Sequence, residues 1–337
     1  MTVLVTGAAG FLGSHVTDLL VESGERPRVL LHPSDNVSRL PDAELDIHWG
    51  DVADPIVIDA AVTGVDCVLH CAAKTGPWGP EAEYEHTNVR ALETLVYAAM
   101  AAGVRRVVHV SSITVHGNDV GGVADERAPL REEPNPYSRS KLVGERVLER
   151  MIREERAPVT IVRPGWIYGP GDRASFGRLA EKIAGGHMLM VGGGDNHIPL
   201  IYVRDAARGV LLAAESSRAV GRAYLLVNDE PVTQRDFITA VAAELGVAPP
   251  TRHLPYRLAL NMGAFAERLG HLARRADPPP VMRYGLQLLG GENRFLITRA
   301  REELGFRPLV DLADGVSCSV AWYRGATEAA RTAKVPA

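Results

Sequence analysis

In the first half of the chain, short apolar runs typical of buried strands alternate with segments whose apolar positions have helical spacing. Short apolar and β-branched runs have the length and composition of buried parallel strands. Helical spacing of apolar positions fills the segments between them, most clearly over 84–100 and 136–155. Strands that alternate with helices predict an α/β fold, built on a Rossmann-type, doubly wound parallel sheet. The predicted strands are residues 3–6, 28–31, 47–52, 67–73, 107–110 and 160–163.

Three glycines follow the first strand and precede a helical pattern. Gly7, Gly10 and Gly13 are spaced by three residues each. Gly7 permits the tight turn, Gly10 lets the backbone approach a pyrophosphate, and Gly13 lets the helix pack closely on the sheet. The N-terminus of the next helix offers free N–H groups to the same anion. This context favours a dinucleotide site over an ordinary strand-to-helix turn.

The pattern changes after the sixth strand, where helices dominate and prolines interrupt them. We expect a dinucleotide-binding domain over 1–165, which the chain re-enters at about 198–228. Residues 166–197 and 229–337 are expected to form a smaller α/β substrate-binding lobe. The helices predicted here are 173–184, 204–216, 237–245, 256–275, 298–304 and 312–323, with a short strand at 200–203.

The tip of the second strand indicates which dinucleotide is bound. An acidic residue there would bind both adenosine ribose hydroxyls and repel a 2′-phosphate. Residues 31–34 are Leu-His-Pro-Ser, without a carboxylate. This favours NADP over NAD, with His32, Ser34 and Arg39 as phosphate partners. Asp35 follows closely, so NAD stays open.

Two later strands end in residues suited to a cofactor edge. Asp51 and Val52 are expected beside the adenine, although Asp51 equally fits a cap for the helix that begins at Pro55. The strand over 67–73 ends in small residues, which fit where backbone lies against a cofactor. Its Cys71 is expected to be a packed side chain and not a reactive thiol.

The strongest catalytic pattern lies at the start of the helix over 136–155. Asn135 and Pro136 predict its first turn, because asparagine caps well and proline suits the first helical position. Tyr137 and Lys141 are four residues apart and share one helix face. The ammonium is expected to lower the pKa of the phenol from about 10, so that Tyr137 exchanges a proton with a substrate oxygen. Ser112, at a neighbouring strand end, can donate a hydrogen bond to that oxygen.

Composition contributes mainly exclusions. The 337 residues carry a formal charge of −4, too small to favour a nucleic acid or an anionic membrane as partner. The three cysteines and eleven histidines show no metal-ligand spacing, so no metal site is expected. An odd cysteine count without a framework favours a reducing, cytoplasmic location. We expect no signal peptide and no stable membrane insertion.

These motifs resemble the extended short-chain dehydrogenase/reductase family over nearly the whole chain. The matching segments are 6–13, 111–117, 163–171 and 202–205, together with the Tyr/Lys pair. The resemblance implies a homodimer formed through the helices at 84–100 and 137–155. It implies that Ser112, Tyr137 and Lys141 are catalytic, with Lys141 also on the nicotinamide ribose. The implied cofactor contacts are Gly7, Ala9, Gly10, Phe11, Leu12, Gly13, His32, Ser34, Asp51, Val52, Ala72, Ala73, Lys74, Asn88, Ser111, Tyr137, Lys141, Pro164, Gly165 and Ile167; for Asn88, a structural role and a proton-relay role are equally open.

Within that family, the loop over 73–84 and residues 194–196 resemble the 3β-hydroxysteroid dehydrogenase-like branch, which includes β-keto acid reductases. Sugar 4,6-dehydratases have Asp and Glu after the serine/threonine, where this chain has Ile113 and Thr114. We therefore expect an NAD(P)-dependent oxidoreductase that interconverts a secondary alcohol and a ketone. A nucleotide-sugar epimerase with tightly bound NAD stays open. A non-catalytic NADP-sensing regulator is the other alternative, although such proteins usually lack the Tyr/Lys pair.

The expected substrate pocket leans apolar, which favours a steroid, polyketide or lipid-like ketone over a sugar phosphate. It is expected to use Trp78, Ser112, Trp166, Phe176 and part of the helix over 256–275. Trp78 fits a pocket wall and a loop anchor equally well. The 256–275 helix carries apolar residues among basic ones. A packed amphipathic helix is favoured there, with a substrate lid or a weak membrane-surface helix as alternatives.

Overall fold

The computed structural model describes the backbone of residues 1–332 and the side chains of residues 1–327. Its strands are β1 (Val3–Thr6), β2 (Arg28–Leu31), β3 (Asp46–Trp49), β4 (Cys67–His70), β5 (Arg106–Val110), β6 (Gly122–Ala124), β7 (Val159–Pro164), β8 (Trp166–Tyr168), β9 (Met190–Val191), β10 (His197–Ile198), β11 (Leu200–Tyr202), β12 (Ala223–Leu226), β13 (Val232–Thr233), β14 (His253–Leu254) and β15 (Asn293–Phe295). Its helices are α1 (Phe11–Glu22), α2 (Pro55–Val62), α3 (Glu81–Glu85), α4 (Ala91–Ala101), α5 (Pro136–Glu155), α6 (Phe176–Ala184), α7 (Val203–Glu215), α8 (Gln234–Leu245), α9 (Tyr256–Leu272), α10 (Arg283–Gly290), α11 (Thr298–Leu304) and α12 (Leu312–Thr332).

Seven parallel strands form the central sheet, in the order β12-β7-β5-β4-β1-β2-β3. β1 lies near the centre, where Val5 pairs with Val29 of β2 and Leu69 of β4. The six strands predicted in the first half of the chain are all in this sheet, which confirms the predicted fold class, whereas the strand predicted at 200–203 is β11, paired with β8. The edge strand β12 was not predicted, and it pairs with β7 after a long excursion of the chain.

Helices cover both faces of the sheet because successive strand residues point to opposite sides. Val5 and Leu31 pack in one core cluster with Val16 of α1 and Val210 of α7. On the other face, residues from α2, α4 and α5 pack on the strands, in the cluster that contains Leu4, Leu30, Ile58, Leu92, Leu95 and Leu148. The β1–α1 turn is thereby fixed between two packed layers.

A third core cluster holds the later part of the chain together. Phe176 of α6, Phe237 of α8 and Val316 of α12 pack there on Tyr168 of β8. β15 pairs in parallel with β6, so the late chain returns to the first half of the molecule. The division into a cofactor domain and a substrate lobe at the residues given above stays a prediction.

Several helices differ from their predicted bounds, and two of them show the local reason. The helix expected over 173–184 begins at Phe176, because the Asp172 carboxylate accepts hydrogen bonds from the N–H groups of Ser175 and Phe176, at 2.8 and 2.9 Å. The helix expected over 84–100 is α3 and α4 joined by a π-helical turn over His86–Arg90. Such wide turns occur frequently at functional sites.

Helix α9 packs through its smallest residues. Its buried face consists of Ala259, Gly263, Glu267 and Gly270, while most of its large apolar side chains are exposed, namely Leu258, Met262, Phe265, Leu269 and Leu272. The helix is therefore packed, as the sequence analysis favours, but through small residues and not through Leu258, Met262 and Phe265. Within the described residues, no helix is long and apolar enough to cross a bilayer.

Candidate active site

A cavity of about 1470 Å³ lies at the carboxyl ends of the sheet strands, between the sheet and the α6, α9 and α10 segments. Ligands of open parallel sheets gather at this end. The structure brings most of the predicted site residues together there. They are Gly7, Gly10, Phe11, Leu12, Gly13, His32, Ser34, Asp51, Val52, Ala72, Ala73, Lys74, Ser111, Ser112, Tyr137, Lys141, Pro164, Gly165, Trp166 and Ile167.

The glycine turn fits a dinucleotide pyrophosphate. Gly7 has a φ of +67°, and a Cβ there would lie 2.6 Å from the backbone nitrogen of Ala72. A Cβ on Gly13 would lie 2.1 Å from the Gly7 carbonyl oxygen, so helix α1 needs glycine to approach the turn. No side chain caps α1. Its first N–H groups therefore remain available for an anion in the cavity.

The tip of β2 presents His32, Ser34, Asp35 and Arg39 to the cavity. His32 Nδ1 and Ser34 Oγ are 2.7 Å apart. The Asp35 carboxylate turns back and accepts a hydrogen bond from the His32 N–H at 2.9 Å. The Arg39 guanidinium donates to the Gly171 carbonyl at 3.0 Å. Asp35 is thus held against the backbone through Oδ2 and still lines the cavity.

Asp51 lines the cavity and does not cap helix α2. Its carboxylate accepts a hydrogen bond from the Ala53 N–H at 2.9 Å. The cap of α2 is Asp54, which accepts from the Ile56 N–H at 2.9 Å. The alternative in which Asp51 caps that helix is therefore wrong.

Helix α5 begins as the sequence predicts. Asn135 accepts a hydrogen bond from the Ser138 N–H at 2.8 Å, and Pro136 is the first helical residue. Tyr137 and Lys141 then lie one turn apart and both face the cavity. The Lys141 ammonium donates to the Val110 carbonyl at 2.8 Å.

Ser112, Tyr137 and Lys141 form the catalytic trio that the sequence predicts. The pKa values of Tyr137 and Lys141 differ from the expectation. Burial raises the pKa of the Tyr137 phenol, and a hydrogen bond with the Ser112 hydroxyl only partly opposes this. Burial also lowers the pKa of Lys141 to about 8, against the opposing effects of Glu145 and Cys71. The predicted lowering of the phenol pKa by Lys141 is therefore wrong for this structure, because desolvation dominates and the ammonium is bound to Val110.

The Ser112 hydroxyl is oriented by the turn that follows β5. Its oxygen accepts hydrogen bonds from the Thr114 N–H at 3.2 Å and the Thr114 hydroxyl at 3.1 Å. Because the Ser112 oxygen is the acceptor in both contacts with Thr114, the Ser112 proton is free to point toward another group. Ile113 is buried in the core. The two positions after Ser112 thus carry no acid or base.

A buried ion network behind the trio was missed by the sequence analysis. Glu145 is fully buried and forms an ion pair with Arg163, with an Nη2–Oε2 distance of 2.5 Å. The Ser111 hydroxyl also donates to Glu145. His116 lies 3.1 Å from Arg163, and burial and the guanidinium lower its pKa to about 4. The spacing of Lys141 and Glu145 on one helix face was the available signal.

Asn88 does not line the cavity. Its side-chain amide accepts from the Lys74 N–H at 2.8 Å and donates to the Lys74 carbonyl at 2.9 Å. It also donates to the Ser140 hydroxyl at 2.8 Å, and that hydroxyl donates to the Tyr137 carbonyl. Asn88 therefore ties the loop after β4 to the first turn of α5, a structural role.

Three other expected contacts are absent from the cavity lining. Phe176 is fully buried in the third core cluster, so its assignment to the substrate pocket is wrong. Trp78 is a loop anchor, because its indole donates to the Arg275 carbonyl at 3.1 Å and its ring lies 4.2 Å from that of His271. Ala9 lies beside a smaller neighbouring cavity.

Comparison with known proteins agrees with this geometry. Residues 3–226 match the NAD dependent epimerase/dehydratase family, and the chain belongs to it. A 2-alkyl-3-oxoalkanoate reductase of Stenotrophomonas maltophilia is 32% identical, over 94% of this chain and 97% of the relative. A 3 beta-hydroxysteroid dehydrogenase/Delta 5-->4-isomerase of Mycobacterium tuberculosis is 29% identical, over 95% and 90%.

One similar solved structure is DesIV, a dTDP-glucose 4,6-dehydratase from Streptomyces venezuelae with NAD and TYD bound. It is 27% identical with a TM-score of 0.77, over 96% of this chain and 97% of DesIV. Together these similarities make the chain an extended short-chain dehydrogenase/reductase that uses a nicotinamide cofactor. The turn around Gly7 and Gly13 fits that cofactor on its own geometry.

Proposed function

We propose that this enzyme interconverts a secondary alcohol and a ketone, with Tyr137 as the acid/base. The observation that carries the proposal is the meeting of Ser112, Tyr137 and Lys141 on one cavity wall, beside the glycine turn. A bound nicotinamide supplies or accepts the hydride. The chain itself has to orient the substrate oxygen and move one proton.

Each member of the trio has a role that its environment supports. The raised pKa of Tyr137 keeps the phenol protonated, so it acts as the acid that protonates the carbonyl oxygen during reduction. Ser112 donates a hydrogen bond to the same oxygen. One Lys141 donor is bound to Val110. Its other donors serve the phenolate that forms and the nicotinamide ribose.

We propose a lipid-like ketone as the substrate. Apolar side chains line the distal part of the cavity, and these are Trp166, Leu189, Leu254, Met262, Met282, Leu286 and Leu289. Arg178 and Lys182 lie one turn apart on the cavity side of α6, and neither forms an ion pair with the described carboxylates. An anionic end, such as the carboxylate of a β-keto acid, suits this wall. The similarity to the oxoalkanoate reductase supports the same choice.

We propose NADP as the preferred dinucleotide. The support is the β2 tip, where His32, Ser34 and Arg39 face the cavity and residues 31–34 carry no carboxylate. Asp35 also lines the cavity, hydrogen-bonded through Oδ2 to the His32 N–H, and NAD is therefore the alternative that the cofactor comparison below tests.

The deciding experiment measures NADPH and NADH oxidation with a panel of long-chain β-keto acids, ketosteroids and UDP-glucose. We expect turnover of a β-keto acid, faster with NADPH. The epimerase alternative predicts the opposite: NAD retained through purification and conversion of the nucleotide sugar without added cofactor. A protein that binds NADPH but reduces no ketone would instead favour the regulator.

A further inference from the structure

Helix α9 exposes a continuous row of large apolar side chains. We call Leu258, Met262, Phe265, Leu269 and Leu272 the α9 stripe. Their spacing of four, three, four and three residues places them on one helix face. Between 49% and 83% of each side chain is exposed. Scattered exposed apolar residues need no explanation, but a contiguous row marks an interaction surface.

The stripe cannot turn inward, because the opposite face of α9 is fixed. A Cβ on Gly263 would lie 3.0 Å from the backbone nitrogen of Arg283, and one on Gly270 would lie 2.9 Å from the Trp78 ring. Glu267 forms an ion pair with Arg283 at 2.7 Å. The two glycines let α9 lie close to Arg283 and Trp78, and this packing fixes which face of the helix is exposed.

The charge around the stripe is strongly positive, although the whole chain is slightly negative. Residues 251–277 contain five arginines and two carboxylates, the buried and paired Glu267 and the exposed Asp277. None of the five arginines has an ion-pair partner among the side chains described. These exposed arginines are Arg252, Arg257, Arg268, Arg274 and Arg275.

We propose that the α9 stripe docks on an anionic phospholipid surface. An apolar row flanked by arginines is the pattern of helices that lie in the membrane interface, and anionic headgroups complement the arginines. A second copy of this chain is a poorer occupant. Antiparallel pairing of two α9 stripes about their midpoint, Phe265, would place Arg257 of each copy near Arg274 of the other, where like charges repel.

The stripe is continuous with the mouth of the cavity. Met262 belongs to the stripe and also lines the cavity. Pro278, Pro280 and Val281, which follow the helix, line the cavity as well. Docking of the stripe would therefore place the cavity mouth at the lipid surface. The inference concerns a surface and does not depend on which ketone the enzyme reduces.

The test is flotation of the full chain with vesicles of phosphatidylglycerol and phosphatidylcholine, and with vesicles of phosphatidylcholine alone. We expect binding to the anionic vesicles, weakened by raised salt. Phe265→Ser/Leu269→Ser should reduce this binding by about tenfold or more, because the buried apolar area is lost. Arg257→Gln/Arg268→Gln should reduce it by a similar factor.

Matched controls change equally exposed residues on other surfaces. Ile56→Ser, at a side chain 80% exposed, and Arg218→Gln/Arg307→Gln should bind vesicles like the wild type. Thermal melting shows whether each variant keeps its fold. The proposal is overturned if the wild type does not float, if it floats equally with phosphatidylcholine alone, or if Phe265→Ser/Leu269→Ser converts a dimer to a monomer in light scattering.

Discussion

At the scale of single residues, burial shifts the pKa values of the two titratable members of the trio in opposite directions. Burial raises the pKa of Tyr137 and keeps the phenol protonated, and it lowers the pKa of Lys141 to about 8. Glu145 opposes this effect on Lys141 from one turn further along α5. These environments support the proposed ketone reduction, in which the phenol would give up a proton and the ammonium would stabilise the resulting anion.

Tyr137→Phe removes the transferable proton and leaves the ring and its packing against Tyr284 in place. Turnover should fall by about 10²-fold to 10⁴-fold or more, the range of general acid catalysis. NADPH affinity should change little, which fluorescence titration would check. Substantial turnover in this variant would remove Tyr137 from the proposed mechanism.

The pH dependence of reduction should follow Lys141. Its pKa is lowered to about 8, so the ammonium becomes neutral as the pH rises through that value. A neutral lysine no longer stabilises the phenolate, and kcat/KM for the ketone should fall above about pH 8. Lys141→Arg keeps its charge at higher pH. Its residual activity should therefore show no fall near pH 8, whereas an unchanged profile would assign the titration to another group.

At the scale of secondary-structure elements, close approaches fix the site. The β1–α1 turn lies on the end of β4, and Gly13 brings α1 against that turn. The ion pair of Glu145 and Arg163 ties α5 to β7 behind the trio. The first contact shapes a turn that lines the cavity, and the second holds α5 and β7 together behind Tyr137 and Lys141.

Gly13→Ala should disrupt the turn, because the new Cβ would lie 2.1 Å from a backbone oxygen that cannot move freely. We expect a stability loss of about 1–3 kcal/mol, typical of overpacking, and much weaker NADPH binding. The control is Gly122→Ala in β6, where a Cβ meets nothing within 4 Å. Chemical denaturation and NADPH titration compare the two variants. Equal behaviour of both would contradict this account of the turn.

Glu145→Gln should destabilise the fold by about 3–5 kcal/mol, because it leaves the buried Arg163 without its counter-ion. It should also lower the pH at which reduction declines, since Glu145 raises the pKa of Lys141. The exposed pair of Glu85 and Arg90 provides the control, and Glu85→Gln should change little. A purely structural role for Glu145 would leave the pH profile where it is.

At the scale of the whole molecule, local patterns were sufficient for the sheet and the trio but not for the pocket. The turn around Gly7, the cap at Asn135 and the spacing of Tyr137 and Lys141 are encoded within a few residues. Phe176 and the α9 stripe were misjudged because helical periodicity identifies an apolar face without saying what covers it. The side that is buried depends on tertiary packing.

The assembly is the remaining property of the whole molecule that the resemblance predicts. We propose a homodimer that pairs α4 and α5 with their copies in a four-helix interface. Tyr97 supports this choice, because it is a large side chain that remains 43% exposed on α4. Its hydroxyl donates to Glu155 of α5 at 2.9 Å, so it lies where the two helices adjoin.

Tyr97→Asp should therefore give a monomer, since a carboxylate in this interface would be desolvated without a partner. Light scattering on the wild type and the variant measures this directly. Phe265→Ser/Leu269→Ser is the matched control, because the α9 stripe lies on a different helix and its loss should leave a dimer. A monomeric wild type would refute the four-helix interface. A dimer that persists in Tyr97→Asp but dissociates in the α9 variant would place the interface on α9 instead, where the arginines make self-association least favourable.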